Sequence, residues 1–171
     1  MAPIIIDIEA SGFGKGSYPV EVGLVLPDGT PHCFLVAPDR KWTSWDEDAE
    51  KTHGLTREIL TSYGRPIPDI AWRLNELLHG KTVYSDAWSF DMSWMGKLYD
   101  VAHEHQAFRI ASLRELIGEE QIASWIRPRK QSSETWVCVD TAPVVTPASC
   151  RRPTAACMRS RLDVLSNPTV S

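Results

Sequence analysis

The sequence lacks any apolar run approaching the ~20 residues that a membrane-spanning helix requires, so we expect no membrane-spanning segment. It also contains little cysteine. The four cysteines have neither C-x-x-C spacing nor the density of a disulfide scaffold, and we interpret them as thiols outside any metal site: Cys33, Cys138, Cys150 and Cys157. The first residues include no basic segment and Asp7 interrupts their apolar run, which predicts no signal peptide and a cytoplasmic location.

An excess of basic residues is also missing. The 18 Lys and Arg residues stand against 22 Asp and Glu residues, and the formal net charge of −4 argues against a general basic coat for nucleic acids. A nucleic acid held through metal ions is still compatible with this charge. With 171 residues, 43% of them hydrophobic, the chain has the size of one globular domain.

Periodic segments continue to about residue 130 and then stop. Residues 1–130 alternate strand-like and helix-like patterns, whereas residues 131–171 are rich in Ser, Thr, Pro, Val and Ala and have no periodicity. We therefore predict one folded domain over residues 1–130, followed by an irregular tail that has the composition of a disordered extension.

Three short β-branched segments open the domain and predict an antiparallel meander. They cover residues 3–9, 19–26 and 32–37, and the PDGT sequence at 27–30 predicts a tight turn with positive φ at Gly29. Helix-like and strand-like segments then alternate. The predicted helices cover 56–60, 68–78, 91–103 and 113–126, and the further strands cover 81–86 and 108–112. This order predicts an α/β fold with a mixed five-stranded sheet flanked by helices.

The first strand carries two acidic residues two positions apart. Asp7 and Glu9 therefore point to the same face of the strand. Two carboxylates ~5 Å apart repel each other by roughly 3 kcal/mol at an effective dielectric constant of about 20, so a buried pair needs a cation, a proton or a basic partner. An edge strand with two solvated acids is the alternative, but the four isoleucines around the pair favour a buried central strand and a divalent metal ion.

Four stretches of the sequence resemble the DEDD-type 3′-5′ exonucleases, a family that includes proofreading exonuclease subunits, ribonuclease T and oligoribonuclease. DIEASG at 7–12 is similar to the first motif, D-x-E-[TA]-[TS]-G, and PVEVG at 19–23 to the strand that follows it. KTHGLTREIL at 51–60 resembles the H-G-[IL]-T turn, and YSDAWSFDMSWM at 84–95 resembles the second motif, in which the Asp of a Phe-Asp pair opens a helix. Their order and spacing agree with the family's DEDDh subclass.

The resemblance implies a ribonuclease H-like fold and a two-metal phosphodiesterase. By this likeness Asp7, Glu9 and Asp91 hold two Mg²⁺ or Mn²⁺ ions, and cleavage at 3′ ends of single-stranded DNA or RNA releases nucleoside 5′-monophosphates. For Asp91, a simple N-cap role is the alternative, and both roles can coexist. The resemblance leaves open whether the chain forms a homodimer, as several family members do.

Other positions of the two motifs are implied to contact substrate. Ala10, Ser11 and Gly12 lie where the family's backbone passes close to the terminal nucleotide, and Trp88 either stacks on a base or packs as a partly buried side chain. We interpret His53 as a structural turn residue. Ala87 stands where the family usually has Asn, so one contact that positions substrate is missing.

The C-terminal part departs from the DEDDh pattern, in which a last helix supplies H-x-x-x-x-D with a general-base His. No histidine follows His105, so residues 106–171 cannot supply that base. His103 and His105 are expected to interact with the helix dipole rather than with metal ions. A domain without this base is expected to lose ~10²-fold to 10⁴-fold in rate.

A shifted reading frame would explain this departure. If triplets are read one frame over from near codon 130, codon degeneracy permits a charged, helix-compatible segment containing H-x-x-x-x-D in place of residues 131–151. We hypothesise that the tail is a frame-shifted product. The sequence thus supports two functions: a 3′-5′ exonuclease with impaired activity, or a non-catalytic derivative of the fold that binds nucleic acid or protein.

Overall fold

The computed structural model describes residues 2–116, which form five strands and four α-helices. The strands are β1 (Ile4–Ala10), β2 (Pro19–Val25), β3 (Pro31–Leu35), β4 (Thr82–Ser85) and β5 (Arg109–Ser112). The helices are α1 (Glu47–His53), α2 (Arg57–Tyr63), α3 (Ile67–Leu78) and α4 (Trp88–Ala102), and a 3₁₀ turn follows at Leu113–Leu116. Among these residues no helix has both the length and the apolar content that crossing a membrane demands.

The strands form one mixed sheet in the order β3-β2-β1-β4-β5. β1, β2 and β3 are antiparallel neighbours, whereas β4 runs parallel to β1 and β5 runs parallel to β4. The predicted five-stranded sheet, its meander and its later strand-helix units are therefore confirmed. The turn at 27–30 is also confirmed, since Gly29 has a φ of 83° and its N–H donates to the Leu26 carbonyl.

The main core lies between one face of the sheet and helices α3 and α4. Of the apolar residues that the sequence predicts to line one face of α3, Ile70, Leu74 and Leu78 are buried and Leu77 is partly buried. The buried residues of the two helices in this core are Ile67, Ile70, Ala71, Leu74, Leu78, Trp94, Met95, Leu98, Tyr99 and Ala102. The two helices are also joined by hydrogen bonds, because the Tyr99 hydroxyl donates to the Ala71 carbonyl at 3.1 Å. This packing fixes where α4 begins relative to the sheet.

Helix α1 was not predicted. It spans only 7 residues and buries a single one, His53, so it has no apolar period to detect. Its ends nevertheless carry signals in the sequence: the Asp46 carboxylate accepts a hydrogen bond from the Asp48 N–H at 2.9 Å, and Gly54 ends the helix with a φ of 73°. The residue taken as a turn, His53, is the last residue of this helix.

The predicted start of α4 needs correction, and the predictions for the segments after residue 116 lie wholly or partly outside the described residues. Helix α4 begins at Trp88, three residues before the predicted start, so Asp91 is not its N-cap; Ala87 is, and the cap has no side-chain hydrogen bond. The helix predicted at 113–126 begins as the 3₁₀ turn, and its remainder lies outside the described residues. The predicted tail at 131–171 also lies outside them, as do Cys138, Cys150 and Cys157.

Gly64 permits a close approach between the end of α2 and the segment after β3. A methyl group at this position would lie 2.5 Å from the Ala37 nitrogen and 2.7 Å from its Cα. Because both are backbone atoms, we expect Gly64→Ala to lower the free energy of unfolding by about 2 to 3 kcal/mol, as measured by urea denaturation.

Gly96→Ala is the matched control for this substitution. Gly96 lies within α4 with open space around its Cα, so an added methyl group should raise the free energy of unfolding by about 1 kcal/mol. Equal stability of the two variants would contradict the close approach at Gly64.

Candidate active site

The two acidic residues of the first motif lie on the central strand. β1 places Asp7 opposite Gly23 and Glu9 opposite Glu21 on the neighbouring strand β2. Both acidic residues are half-buried, and the alternate positions Ile6 and Ile8 belong to the main core. The predicted geometry, with two carboxylates on one face of a buried strand, is confirmed by the alternation of burial along β1.

The Asp91 carboxyl group lies in the first turn of α4 and is 0% exposed. Its Oδ2 accepts a hydrogen bond from the Ser85 hydroxyl at the end of β4, while its Oδ1 has no hydrogen-bond partner among the described residues. Burial, together with the charges of Asp7, Asp86 and Glu9, raises the pKa of Asp91 to about 8, although the hydrogen bond from Ser85 opposes this shift. The three carboxylates expected from the two motifs therefore act on one another electrostatically.

Sequence reasoning missed two acidic residues near this group. Glu21 is buried directly opposite Glu9. The pKa of Glu9 is raised mainly by the burial of Glu9 and, in addition, by the charge of Glu21. Asp86 follows β4 and contributes to the raised pKa of Asp91. The strand register could have revealed Glu21, but a register between two strands depends on the turn that joins them and on the bulge between Glu9 and Ala10.

Residues 2–116 contain no group of three or more His, Cys, Asp or Glu side chains arranged so that they could hold a metal ion. The donor chemistry still fits a hard divalent cation. Carboxylate oxygens are the ligands that Mg²⁺ and Mn²⁺ prefer, and a buried acceptor, Asp91 Oδ1, stands without a donor. In addition to burial, the charges of Asp7 and Glu9 raise the pKa of Asp91, an effect that a bound cation would reverse.

The stretch after β1 is tightly held. Ser11 is buried, its N–H and hydroxyl both bond to the Tyr18 backbone, and its carbonyl accepts the Asp46 N–H at 2.8 Å. Ala10 is also buried, and a methyl group on Gly12 would lie 2.9 Å from the Asp46 Cβ. The side chains of Ala10 and Ser11 are thus buried, and the backbone N–H and carbonyl of Ser11 are bonded within the protein.

His53, the last residue of α1, interacts with the backbone of Ala10 at the end of β1. Its Nδ1 accepts the Leu55 N–H at 3.0 Å, so the proton of a neutral ring is on Nε2. Burial lowers the pKa of His53, although the Ala10 carbonyl and the Glu50 charge oppose this shift. A neutral, buried ring whose Nδ1 is already engaged agrees with the structural role expected from the sequence.

An aromatic groove of about 510 Å³ opens between the loop after β1 and the start of α4. Phe13 (74% exposed) and Phe90 (47% exposed) meet edge to face with their ring centroids 5.5 Å apart, and Phe90 stacks on Trp94. Lys15 and Lys97 also line the groove. The groove lies between the end of the first motif, since Phe13 follows Gly12, and the helix that carries Asp91, and sequence reasoning missed it.

Trp88 lies on the other side of the same helix turn. Its indole N–H donates to the Ile110 carbonyl of β5 at 3.2 Å, and the side chain is 41% exposed. This bond secures the N-terminus of α4 to the sheet. The packing role of Trp88 is therefore observed. Stacking of its exposed ring on a base stays a prediction.

Neither a protein-family model nor a curated protein sequence matches this chain. The apo form of exonuclease I superposes with a TM-score of 0.56 at 15% identity, covering 66% of this chain and 29% of that one. The chain has the ribonuclease H-like exonuclease fold.

Two further exonuclease I structures give the same result. A moderately thermophilic enzyme from Methylocaldum szegediense has a TM-score of 0.56 at 14% identity, over 67% of this chain and 28% of that one. The E. coli enzyme in complex with a dA16 oligonucleotide has a TM-score of 0.53 at 14% identity, over 64% and 27%. This chain spans less than a third of these proteins, and identities this low show the fold alone.

Proposed function

We propose that this chain is a metal-dependent exonuclease domain that removes nucleotides from the 3′ ends of single-stranded DNA or RNA. The observation that carries the proposal is the buried Asp91 carboxyl, with one oxygen unpartnered among the described residues and its pKa raised by burial and by the charges of Asp7 and Glu9. Its position in an exonuclease fold and the match of two motifs support the same conclusion. The neighbour whose structure contains dA16 is a protein that binds single-stranded DNA.

In this proposal Asp7, Glu9 and Asp91 bind two Mg²⁺ or Mn²⁺ ions. Such ions, when bound, would supply a nucleophile at neutral pH and neutralise charge developing on the scissile phosphate. The chain itself contributes the fixed positions of the three carboxylates and the backbone of Ala10, Ser11 and Gly12 beside the terminal nucleotide. Without H-x-x-x-x-D the rate is lower than in a complete site, by ~10²-fold to 10⁴-fold.

The aromatic groove is suited to unpaired nucleotides next to the reacting phosphate. Exposed Phe13 and Phe90 rings provide stacking surfaces, and Lys15 and Lys97 provide positive charge for the backbone. The two lysines place positive charge at this groove although the formal net charge of the chain is −4. Single-stranded substrates are favoured because stacked duplex bases could not reach these rings.

The test of the proposal is release of mononucleotides from an oligonucleotide that carries a label at its 3′-terminal nucleotide. We expect slow release of labelled nucleoside 5′-monophosphate with Mn²⁺ and none with EDTA. An oligonucleotide labelled at the 5′ end should shorten progressively under the same conditions. If the full chain binds the oligonucleotide but releases nothing at any Mn²⁺ concentration, the non-catalytic derivative is the correct function.

Phe13→Ala and Phe90→Ala should each weaken oligonucleotide binding. Because base stacking on an aromatic ring contributes about 1 to 3 kcal/mol, the dissociation constant should rise about 5-fold to 140-fold, as measured by fluorescence anisotropy. Trp72→Ala is the control, since Trp72 is exposed on α3 and does not line the groove. An equal effect of all three substitutions would exclude the groove as the binding surface.

A further inference from the structure

Ser85 is the polar residue in direct contact with the Asp91 carboxyl. It is the last residue of β4, its side chain is completely buried, and its hydroxyl donates to Asp91 Oδ2. The resemblance to the exonuclease motifs assigns no role to this position. Asp91 lies six residues later in the chain, across the turn that connects β4 to α4.

The location of Ser85 follows from the sheet. β4 runs parallel to β1 with Tyr84 opposite Ile5, so the next residue of β4 lies at the level where β1 approaches Asp7. Ser85 therefore holds the Asp91 carboxyl from the β4 side, while β1 carries the other two carboxylates. The helix itself does not hold this carboxyl, since α4 has no side-chain cap and Asp91 lies within its first turn.

A single hydrogen bond to one oxygen has a definite geometric result. A carboxyl group at the end of a short side chain can rotate about χ2, and that torsion is broad in the absence of a partner. With Oδ2 engaged by Ser85, the orientation of the carboxyl plane is set and Oδ1 is left as the buried acceptor. Partners of this kind orient metal-binding carboxylates and affect metal affinity.

We propose that Ser85 is a positioning residue for Asp91: its hydroxyl holds Oδ2 so that Oδ1 is presented to a divalent cation shared with Asp7 and Glu9. This inference rests on the proposed function, because it assumes that these carboxylates bind a metal ion. Ser85 acts through Asp91 and touches neither the cation nor the substrate.

The experiment is a Mn²⁺ titration of the full chain, with free Mn²⁺ measured by electron paramagnetic resonance. Ser85→Ala should raise the Mn²⁺ dissociation constant about 10-fold to 100-fold. Ser85→Thr keeps a hydroxyl and should recover most of the affinity. Ser85→Cys is close in size to the wild type, but its thiol is a weak donor, so it should bind Mn²⁺ as weakly as Ser85→Ala. It provides a second measurement if Ser85→Ala folds poorly.

Tyr99→Phe is the matched control. It also removes a buried hydroxyl that donates a hydrogen bond, from the same helix as Asp91 but at the contact with α3. It should lower the melting temperature as Ser85→Ala does and leave the Mn²⁺ affinity unchanged.

Two results would overturn the inference, and only one of them would also overturn the proposed function. If the wild-type chain binds Mn²⁺ and Asp91→Asn abolishes binding, but Ser85→Ala binds as tightly as wild type, the positioning role is wrong and the proposed function stands. If the wild-type chain binds no Mn²⁺, both the inference and the metal-dependent function are wrong.

Discussion

Asp7→Ala should reduce Mn²⁺-dependent release of mononucleotides by more than about 100-fold. Asp7 is a carboxylate of the first motif, lies on the central strand and acts electrostatically on Asp91. Residues that only orient a metal ligand typically change affinity or activity by about 10-fold to 100-fold, so loss of a ligand itself should cost more. Initial rates with a 3′-labelled oligonucleotide, at saturating Mn²⁺, measure the effect.

Asp100→Ala serves as the control for Asp7→Ala. Asp100 is an exposed acidic residue near the end of α4, more than two turns from Asp91, and its removal changes net charge by the same amount. The Asp100→Ala variant should release nucleotides at the same rate as the wild type. If Asp7→Ala and wild type release nucleotides equally fast, the release does not come from this site.

Asp91→Asn should make the metal-free protein more stable at pH 8 and less sensitive to pH. An unfolded Asp ionises near pH 3.9, whereas the folded pKa of Asp91 is raised to about 8 by burial and by neighbouring carboxylates. Between these values the folded state keeps a proton that the unfolded chain has lost. The contribution of Asp91 to the free energy of unfolding therefore falls as pH rises, by up to about 4 kcal/mol between pH 5 and pH 8.

Urea denaturation in EDTA at pH 5, 6.5 and 8 measures this difference. Asn cannot ionise and can still accept a hydrogen bond from Ser85, so the variant should lose much less stability over this range than wild type. The lowered pKa of His53 acts in the opposite sense, with stability lost as pH falls, but His53 is present in both proteins and cancels in the difference. Parallel pH profiles for the two proteins would contradict an ionisation cost at Asp91.

Much of the fold could be predicted because its signals are local. The β-branched segments and the PDGT turn define the meander, and the apolar spacing of Ile70, Leu74 and Leu78 defines α3. Helix α1 was missed because its evidence lies in its caps rather than in an apolar period. The start of α4 was placed three residues late because Trp88 is held by the distant Ile110 carbonyl, a contact that no local pattern contains.

The site divides in the same way. Asp7 and Glu9 could be assigned to one face from their spacing alone, since period-2 geometry is a property of any strand. The contributions of Glu21, Ser85 and Asp86 could not, because each depends on which strands are neighbours and in what register. The aromatic groove was missed for a related reason: Phe13 and Phe90 are 77 positions apart and meet only where the first loop lies against α4.

The sequence by itself determined which residues alternate, which segments form the five strands and helices α2, α3 and α4, and which acidic side chains belong to exonuclease-like motifs. Only the tertiary structure decided that Asp91 is buried against Ser85, that its pKa rises to about 8, and that exposed rings and lysines line one groove. The physical reason is that backbone preference is a short-range property. Burial, desolvation and the mutual effect of charges depend on distances between segments that only the packed sheet and helices set.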